Sequence, residues 1–373
     1  MTAVRWNYPE FCVVMGITYV INVWRKDMID KKIKAVFKQA GKIILYSKVG
    51  LSRMTFLKAY RMIRYWMLTS VFKKKVPWLI ELSVTYSCQC RCKHCSVSNY
   101  FSEVDREREL TADEIKSLLK QAVKISIPKV DYFGGEPLLK EDIVELVRFG
   151  SRQGVYISIT TNAWLLTRDM VKRLKDAGIS CINISLDSAE EQEHDKLRGL
   201  PGIYKRAVAA ISFCHQEGVP CIVSTYVTRR RIEGFAQPGD VSDLTKIIDL
   251  SRELKATAVR ILFPIISGEW IAKKKIELNE DEKLWVIENI DPSFAFIEGA
   301  YSVKRKKKVC QALYGKIFNI SPYGDIQLCV AFPDTFGNVR KKPLQRLIRE
   351  MWSHPTYLKN KNGACCSTID LKR

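Results

Sequence analysis

Between residues 78 and 265 the sequence alternates strand-like and helical runs, and few folds accommodate that rhythm. Strand-like runs cover 78–86, 129–133, 155–161, 181–187, 220–228 and 258–265. Helical runs at 111–125, 142–152, 167–177, 203–217 and 242–256 separate them. Thr111 and Glu114 form a capping box at the first helix, and Gly178 and Gly218 stop two others. Six strands joined by five helices imply parallel strands with right-handed crossovers. Six units fall short of a closed eight-fold barrel. The expected fold is therefore α/β, a partial (βα)6 TIM-like barrel with ligand sites at the C-terminal ends of its strands.

The loop after the first strand sits at such an end, and it reads Cys88-Gln-Cys-Arg-Cys92-Lys-His-Cys95. Cys88, Cys92 and Cys95 have three residues and then two between them. Thiolates this close hold a soft metal or an iron–sulfur cluster. Three ligands on a 4Fe–4S cube leave one iron open for a substrate or cofactor. A zinc site completed by His94 or a distant ligand is the other reading. Cys90 lies off the spacing and reads as a small buried side chain. Cys12, Cys181, Cys214 and Cys221 occupy apolar settings and read as packed core thiols. Twelve cysteines in 373 residues are too dilute for a disulfide scaffold and point to a reducing compartment.

Charge separates the first segment from the rest. Residues 1–80 hold 16 Lys and Arg against Glu10, Asp27 and Asp30, in a chain of net charge +21. Anionic lipid, nucleic acid and a solvated face are the common readings of such a segment. The uncharged run 11–24 is 14 residues long, short of the roughly 20 that span a bilayer. Over residues 51–72, Arg53, Lys58, Arg61 and Arg64 share one arc of a helical wheel. Leu51, Met54, Leu57, Ile63, Met67, Val71 and Phe72 populate much of the rest. A helix lying in a membrane interface and a helix packed on the barrel with its basic face in water both fit this pattern.

The cysteine loop after the first strand of a βα repeat resembles the radical S-adenosylmethionine (SAM) superfamily. His94 stands where that family often has an aromatic residue. Tyr132-Phe-Gly134-Gly135-Glu136-Pro137 closes the second strand and resembles the family's Gly-Gly-Glu element. The run Ser185-Leu-Asp187, then His194-Asp195-Lys-Leu-Arg198-Gly199, resembles a further pattern of the family. Taken alone, Ser185 is an ordinary strand polar residue and Arg198 a surface charge. The resemblance implies that Cys88, Cys92 and Cys95 bind a 4Fe–4S cluster. It implies that Gly134, Gly135 and the Glu136 region meet the SAM amino group, and that Ser185 and Arg198 meet its ribose and carboxylate end. An arginine fork suits a carboxylate. The implied chemistry is reductive SAM cleavage and hydrogen abstraction from an unactivated C–H.

Farther on, Cys310, Gly324 and Cys329 frame a β-hairpin with a Tyr-Gly-Asp turn, and a helix follows at 343–352. This is similar to the start of the SPASM extension or its shorter twitch form, which holds auxiliary iron–sulfur clusters. Only Cys365 and Cys366 remain before the chain ends, so the resemblance implies at most one auxiliary cluster, on Cys310, Cys329 and one or both of that pair. A hairpin module without a cluster is the alternative.

The expected organisation is a basic helical region over 1–76, the partial barrel over 77–268, a connector over 269–308 and a small α+β cysteine module over 309–373. The family's base rate favours a peptide or protein side chain as substrate. A membrane lipid or isoprenoid-like molecule, a sugar or alcohol, and a non-catalytic membrane-associated iron–sulfur protein are the alternatives. Flavodoxin or ferredoxin is the expected electron donor, nucleic acid is not an expected partner, and the expected location is the cytoplasm, peripherally on the inner face of the membrane.

Overall fold

The computed structural model describes residues 40–264 except 43 and 46, then 276, 278–298, 300–302, 307–332 and 334–360. Cys12, Cys365, Cys366 and the 11–24 run lie outside the described residues.

After α1 (Phe56–Trp66) the expected alternation unfolds almost residue for residue. It runs β1 (Leu79–Thr85), α2 (Ala112–Lys124), β2 (Lys129–Gly134), α3 (Ile143–Arg152), β3 (Tyr156–Thr161), α4 (Arg168–Asp176) and β4 (Cys181–Ser185). Then come α5 (Glu191–Arg198), α6 (Ile203–Glu217), β5 (Cys221–Tyr226), α7 (Asp243–Glu253) and β6 (Ala258–Leu262). The Thr111–Glu114 capping box is present at α2, and Gly218 closes α6 in the left-handed region. Cys181, Cys214 and Cys221 are buried core thiols, as their settings predict.

The parallel sheet is larger than six strands. Part of the segment read as a connector forms α8 (Glu280–Asn289) and β7 (Ala295–Ile297), and β7 pairs parallel to β6. Three residues are too few to show a strand period in sequence. A small ribbon of β8 (Ala300–Ser302) and β9 (Lys307–Val309) leads to the C-terminal region. There β10 (Ile317–Ile320) and β11 (Asp325–Gln327) make the expected hairpin, β12 (Thr335–Asn338) adds to it, and α9 (Leu344–Ser353) and α10 (Pro355–Asn360) follow. The hairpin is continuous with the barrel, because β10 pairs parallel to β1. The sheet order is β12-β11-β10-β1-β2-β3-β4-β5-β6-β7. One contiguous core, from Ile80 and Leu82 on β1 to Leu347 and Met351 on α9, binds barrel and hairpin together.

The N-terminal helical layer corrects the helical-wheel reading. Three of the four cations on that arc, Arg53, Lys58 and Arg61, turn inward onto the barrel, and Arg64 is exposed. Lys58 is 2% exposed and donates to the Gly178 carbonyl at 3.1 Å and to Ser180 Oγ at 2.8 Å. Arg53 donates to the Lys175 carbonyl at 2.7 Å, in the last turn of α4, and Arg61 to the Gln153 carbonyl that follows α3. Cations belong at helix C-termini, where unpaired carbonyls carry partial negative charge. A side chain at Gly154 would collide with Leu57, so α1 lies directly on the turn between α3 and β3. Leu45, flanked by Val49 and Met62, packs on Tyr156, Cys181, Ile222 and Ala258 at the starts of β3 to β6. The layer thus closes the N-terminal end of the barrel, opposite the cysteine loop.

Candidate active site

The site begins with backbone. A side chain at Gly134 would stand 2.2 Å from the Thr85 carbonyl, and one at Gly135 would stand 2.3 Å from that of Ser87. Gly134 also adopts φ +128°, which L side chains rarely adopt. Gly135 N donates to the Thr85 carbonyl at 2.7 Å and Glu136 N to that of Ser87 at 2.8 Å. The two glycines therefore lock the end of β2 onto the end of β1, just before Cys88.

One cavity of about 660 Å³ brings the predicted residues together. Cys88, Cys92, His94, Cys95, Gly134, Gly135, Ser185 and Arg198 all line it. Glu136 does not. Its carboxylate is fully buried and accepts from Thr161 Oγ1 at 2.7 Å, Asn162 N at 2.8 Å and Leu138 N at 3.1 Å. Burial pushes its pKa up to about 7. Its side chain accepts from three protein donors and ties β2 to β3, while the backbone of Gly134 and Gly135 stands at the cavity wall.

Polar donors surround the thiols. Asn162 Nδ2 lies 3.7 Å from Cys88 Sγ, and Arg198 Nη1 lies 3.7 Å from Cys92 Sγ. A hydrogen bond with Cys90 lowers the Cys92 pKa to about 6 and lowers that of Cys88 as well. Burial pushes Cys95 up to about 12. Cys90 is buried as expected, at 1% exposure, and its thiol hydrogen-bonds with those of Cys88 and Cys92.

Asp187 is the residue the sequence reading passed over. It holds Arg198 Nη2 at 2.6 Å and His94 Nε2 at 3.4 Å. Burial opposes the Asp187 carboxylate, but Arg198, His94, Arg231 and His194 together outweigh it and hold its pKa below the usual range. Burial lowers His94 to about 4, so the imidazole is neutral near pH 7. Arg198 Nε is buried without a hydrogen-bond partner and belongs to a side chain on the cavity wall. The thiols, the backbone wall and this unused N–H fit a thiolate-held cluster with an anionic ligand beside it. A signal was present in sequence: Asp187 follows Ser185 at strand spacing, on the side that faces inward.

Beyond these residues the cavity continues down the barrel lumen. Glu81, Lys129, Asp131, Ser224, Tyr226, Arg260, Glu298 and Lys316 line that part, and Tyr65 and Trp78 reach it. Arg260 donates to Ser224 Oγ at 2.9 Å and pairs with Glu298 at 3.4 Å. Asp131 accepts from Ser158, from Thr160 at 2.8 Å and from Asn183 at 3.3 Å. Glu81 stands level with Asp131 on the adjacent strand. Burial, then Glu298 and Asp131, push its pKa up to about 8. Charged residues inside otherwise apolar strands were the available signal for this lumen. Cys310 and Cys329 line the same cavity, which brings the C-terminal module to the cysteine loop; Cys365 and Cys366 lie outside the described residues.

Residues 82–231 match the Radical SAM superfamily. The chain is 28% identical over 324 residues to an AdoMet-dependent heme synthase of Methanosarcina barkeri, covering 78% of this chain and 88% of that one. It is 29% identical over 275 residues to a PqqA peptide cyclase of Bradyrhizobium diazoefficiens, covering 70% and 69%. Among solved structures, Streptococcus suis SuiB bound to its precursor peptide SuiA aligns with a TM-score of 0.60 at 20% identity, covering 79% of this chain and 70% of that chain. Native anSMEcpe with bound AdoMet aligns with a TM-score of 0.53 at 15% identity, covering 77% and 82%. These two share the fold.

Proposed function

We propose that the chain is a radical SAM enzyme that works with a 4Fe–4S cluster and S-adenosylmethionine and modifies a peptide or protein side chain bound in the barrel lumen. Cys88, Cys92 and Cys95 hold the cluster in this reading, and His94, Gly134, Gly135, Ser185 and Arg198 form the SAM wall. When bound, cluster and SAM together supply a 5′-deoxyadenosyl radical that removes hydrogen from an unactivated C–H. Arg198, whose buried Nε–H has no hydrogen-bond partner and whose guanidinium is held by Asp187, would be the group to bind the SAM carboxylate.

The observation that carries this reading is the single cavity that joins the three thiols to a polar lumen. Its depth gives a side chain a place beside the SAM wall. Three carboxyls, on Glu81, Asp131 and Glu298, face the cations of Lys129, Arg260 and Lys316. That balance suits a peptide, whose groups donate and accept in equal measure. The similarity to heme synthases favours a second reading, a tetrapyrrole substrate. Glu81 keeps its proton near pH 7, so the three cations exceed the two remaining carboxylates by one, a small excess for a macrocycle with several carboxylates. One auxiliary cluster on Cys310, Cys329 and the 365–366 pair is part of the proposal, with flavodoxin or ferredoxin as electron donor.

Isotope transfer tests the substrate. A peptide carrying deuterium at the attacked carbon is expected to pass it to 5′-deoxyadenosine, read by mass spectrometry. Label arriving from a porphyrin and not from peptides would overturn the peptide reading.

A further inference from the structure

The N-terminal layer is amphipathic in the reverse sense of a soluble surface helix. Arg53, Lys58 and Arg61 point inward to helix C-termini, and ten large apolar side chains of the same segment point outward. Fourteen large hydrophobic side chains are exposed among the described residues, and ten of them lie between positions 44 and 72. Phe56 is 91% exposed, Leu51 64%, Phe72 60%, Trp66 59% and Ile63 58%. Phe56, Tyr60, Ile63 and Met67 follow helical spacing along one stripe of α1 and the π-helical turn after it. Single exposed apolar residues are ordinary, whereas a contiguous set marks a binding surface.

We propose that this face seats on an anionic lipid bilayer, with the chain lying on the membrane and the cysteine-loop end of the barrel turned away from it. The surface chemistry selects that occupant. Lys42, Lys48, Arg64, Lys73 and Lys74 are exposed on the same segment. No Asp or Glu occurs from residue 31 to residue 80. An occupant must bring both an apolar phase and negative charge, as acidic headgroups over acyl chains do. A second copy brings another basic face, on a chain of net charge +21. Residues 1–39 hold seven Lys and Arg against three acids and would add like charge. Among the described residues no helix is long and apolar enough to cross a membrane, so the contact is interfacial. The inward cations give the layer its rigidity: they anchor α1 to the barrel and leave the apolar stripe presented as a fixed surface.

Sedimentation of the full chain with vesicles tests this. Binding is expected to vesicles of phosphatidylcholine with about one third phosphatidylglycerol and to fall steeply in pure phosphatidylcholine and in high salt. The double variant Phe56→Ser/Trp66→Ser is expected to bind at least roughly tenfold more weakly. Both side chains are largely exposed, so its melting temperature and its SAM cleavage in solution should match wild type. No binding to the anionic vesicles, or binding that the double variant leaves unchanged, overturns the proposal. So does a dimer in ultracentrifugation that the same variant dissolves while vesicles go unbound.

Discussion

Glu81 is the residue whose environment departs furthest from its ordinary one in a testable way. Its pKa stands at about 8 against an ordinary 4.5, because burial and the neighbouring Glu298 and Asp131 disfavour its charge. The sign follows from proton counting. Between pH 4.5 and 8 the folded protein keeps this proton while the unfolded chain releases it, so stability falls as pH rises through that window and the full cost is present above it. Glu81→Gln removes the cost. The variant should melt with wild type near pH 5 and roughly a few degrees above it near pH 8.5. Equal shifts at both pH values, in scanning calorimetry of the metal-free chain, would contradict the assignment. At this scale the sequence was uneven in what it offered. The thiol triple was legible from its local spacing, whereas the two glycines, Ser185 and Arg198 were singled out by a family resemblance; all of them line the cavity. Asp187, Asn162 and Glu81 act across strands, and pairing distances do not appear in a linear order. The cross-strand bonds of the Glu136 carboxylate to Thr161 and Asn162 were equally invisible in linear order.

The six strands and the five longer helices from β1 to β6 were legible because each carries a strand or helix period; α5 was not, because its eight residues hold a single large apolar side chain, Leu197. β7 was missed for its three residues, and the link from β10 to β1 because parallel pairing joins segments more than two hundred residues apart. Helix α1 taught a different lesson. A helical wheel finds the two faces of an amphipathic helix, but burial decides which face turns inward. Here helix C-termini of the barrel claim the cations, a tertiary fact. Lys58→Met should therefore destabilise the fold by about 2 kcal/mol, since a charged donor to the Gly178 carbonyl and Ser180 is lost from a buried site. Urea denaturation checks it. An unchanged midpoint would mean that Lys58 merely rests on the barrel.

Across the whole molecule, three parts serve one cavity. The N-terminal layer closes the barrel at one end, the cysteine loop stands at the other, and the C-terminal hairpin extends the sheet beside β1, with Cys310 and Cys329 on the cavity wall. The sequence named these parts as separate regions; the continuous sheet makes them one body around the site. The account rests on the cavity being the place where SAM is cleaved. The full chain, reconstituted anaerobically with iron and sulfide and supplied with SAM and dithionite, tests that directly. The account predicts 5′-deoxyadenosine from wild type and none from Cys88→Ala, with iron falling from near eight per chain to near four. No 5′-deoxyadenosine from wild type, with an iron content that Cys88→Ala leaves unchanged, would contradict it.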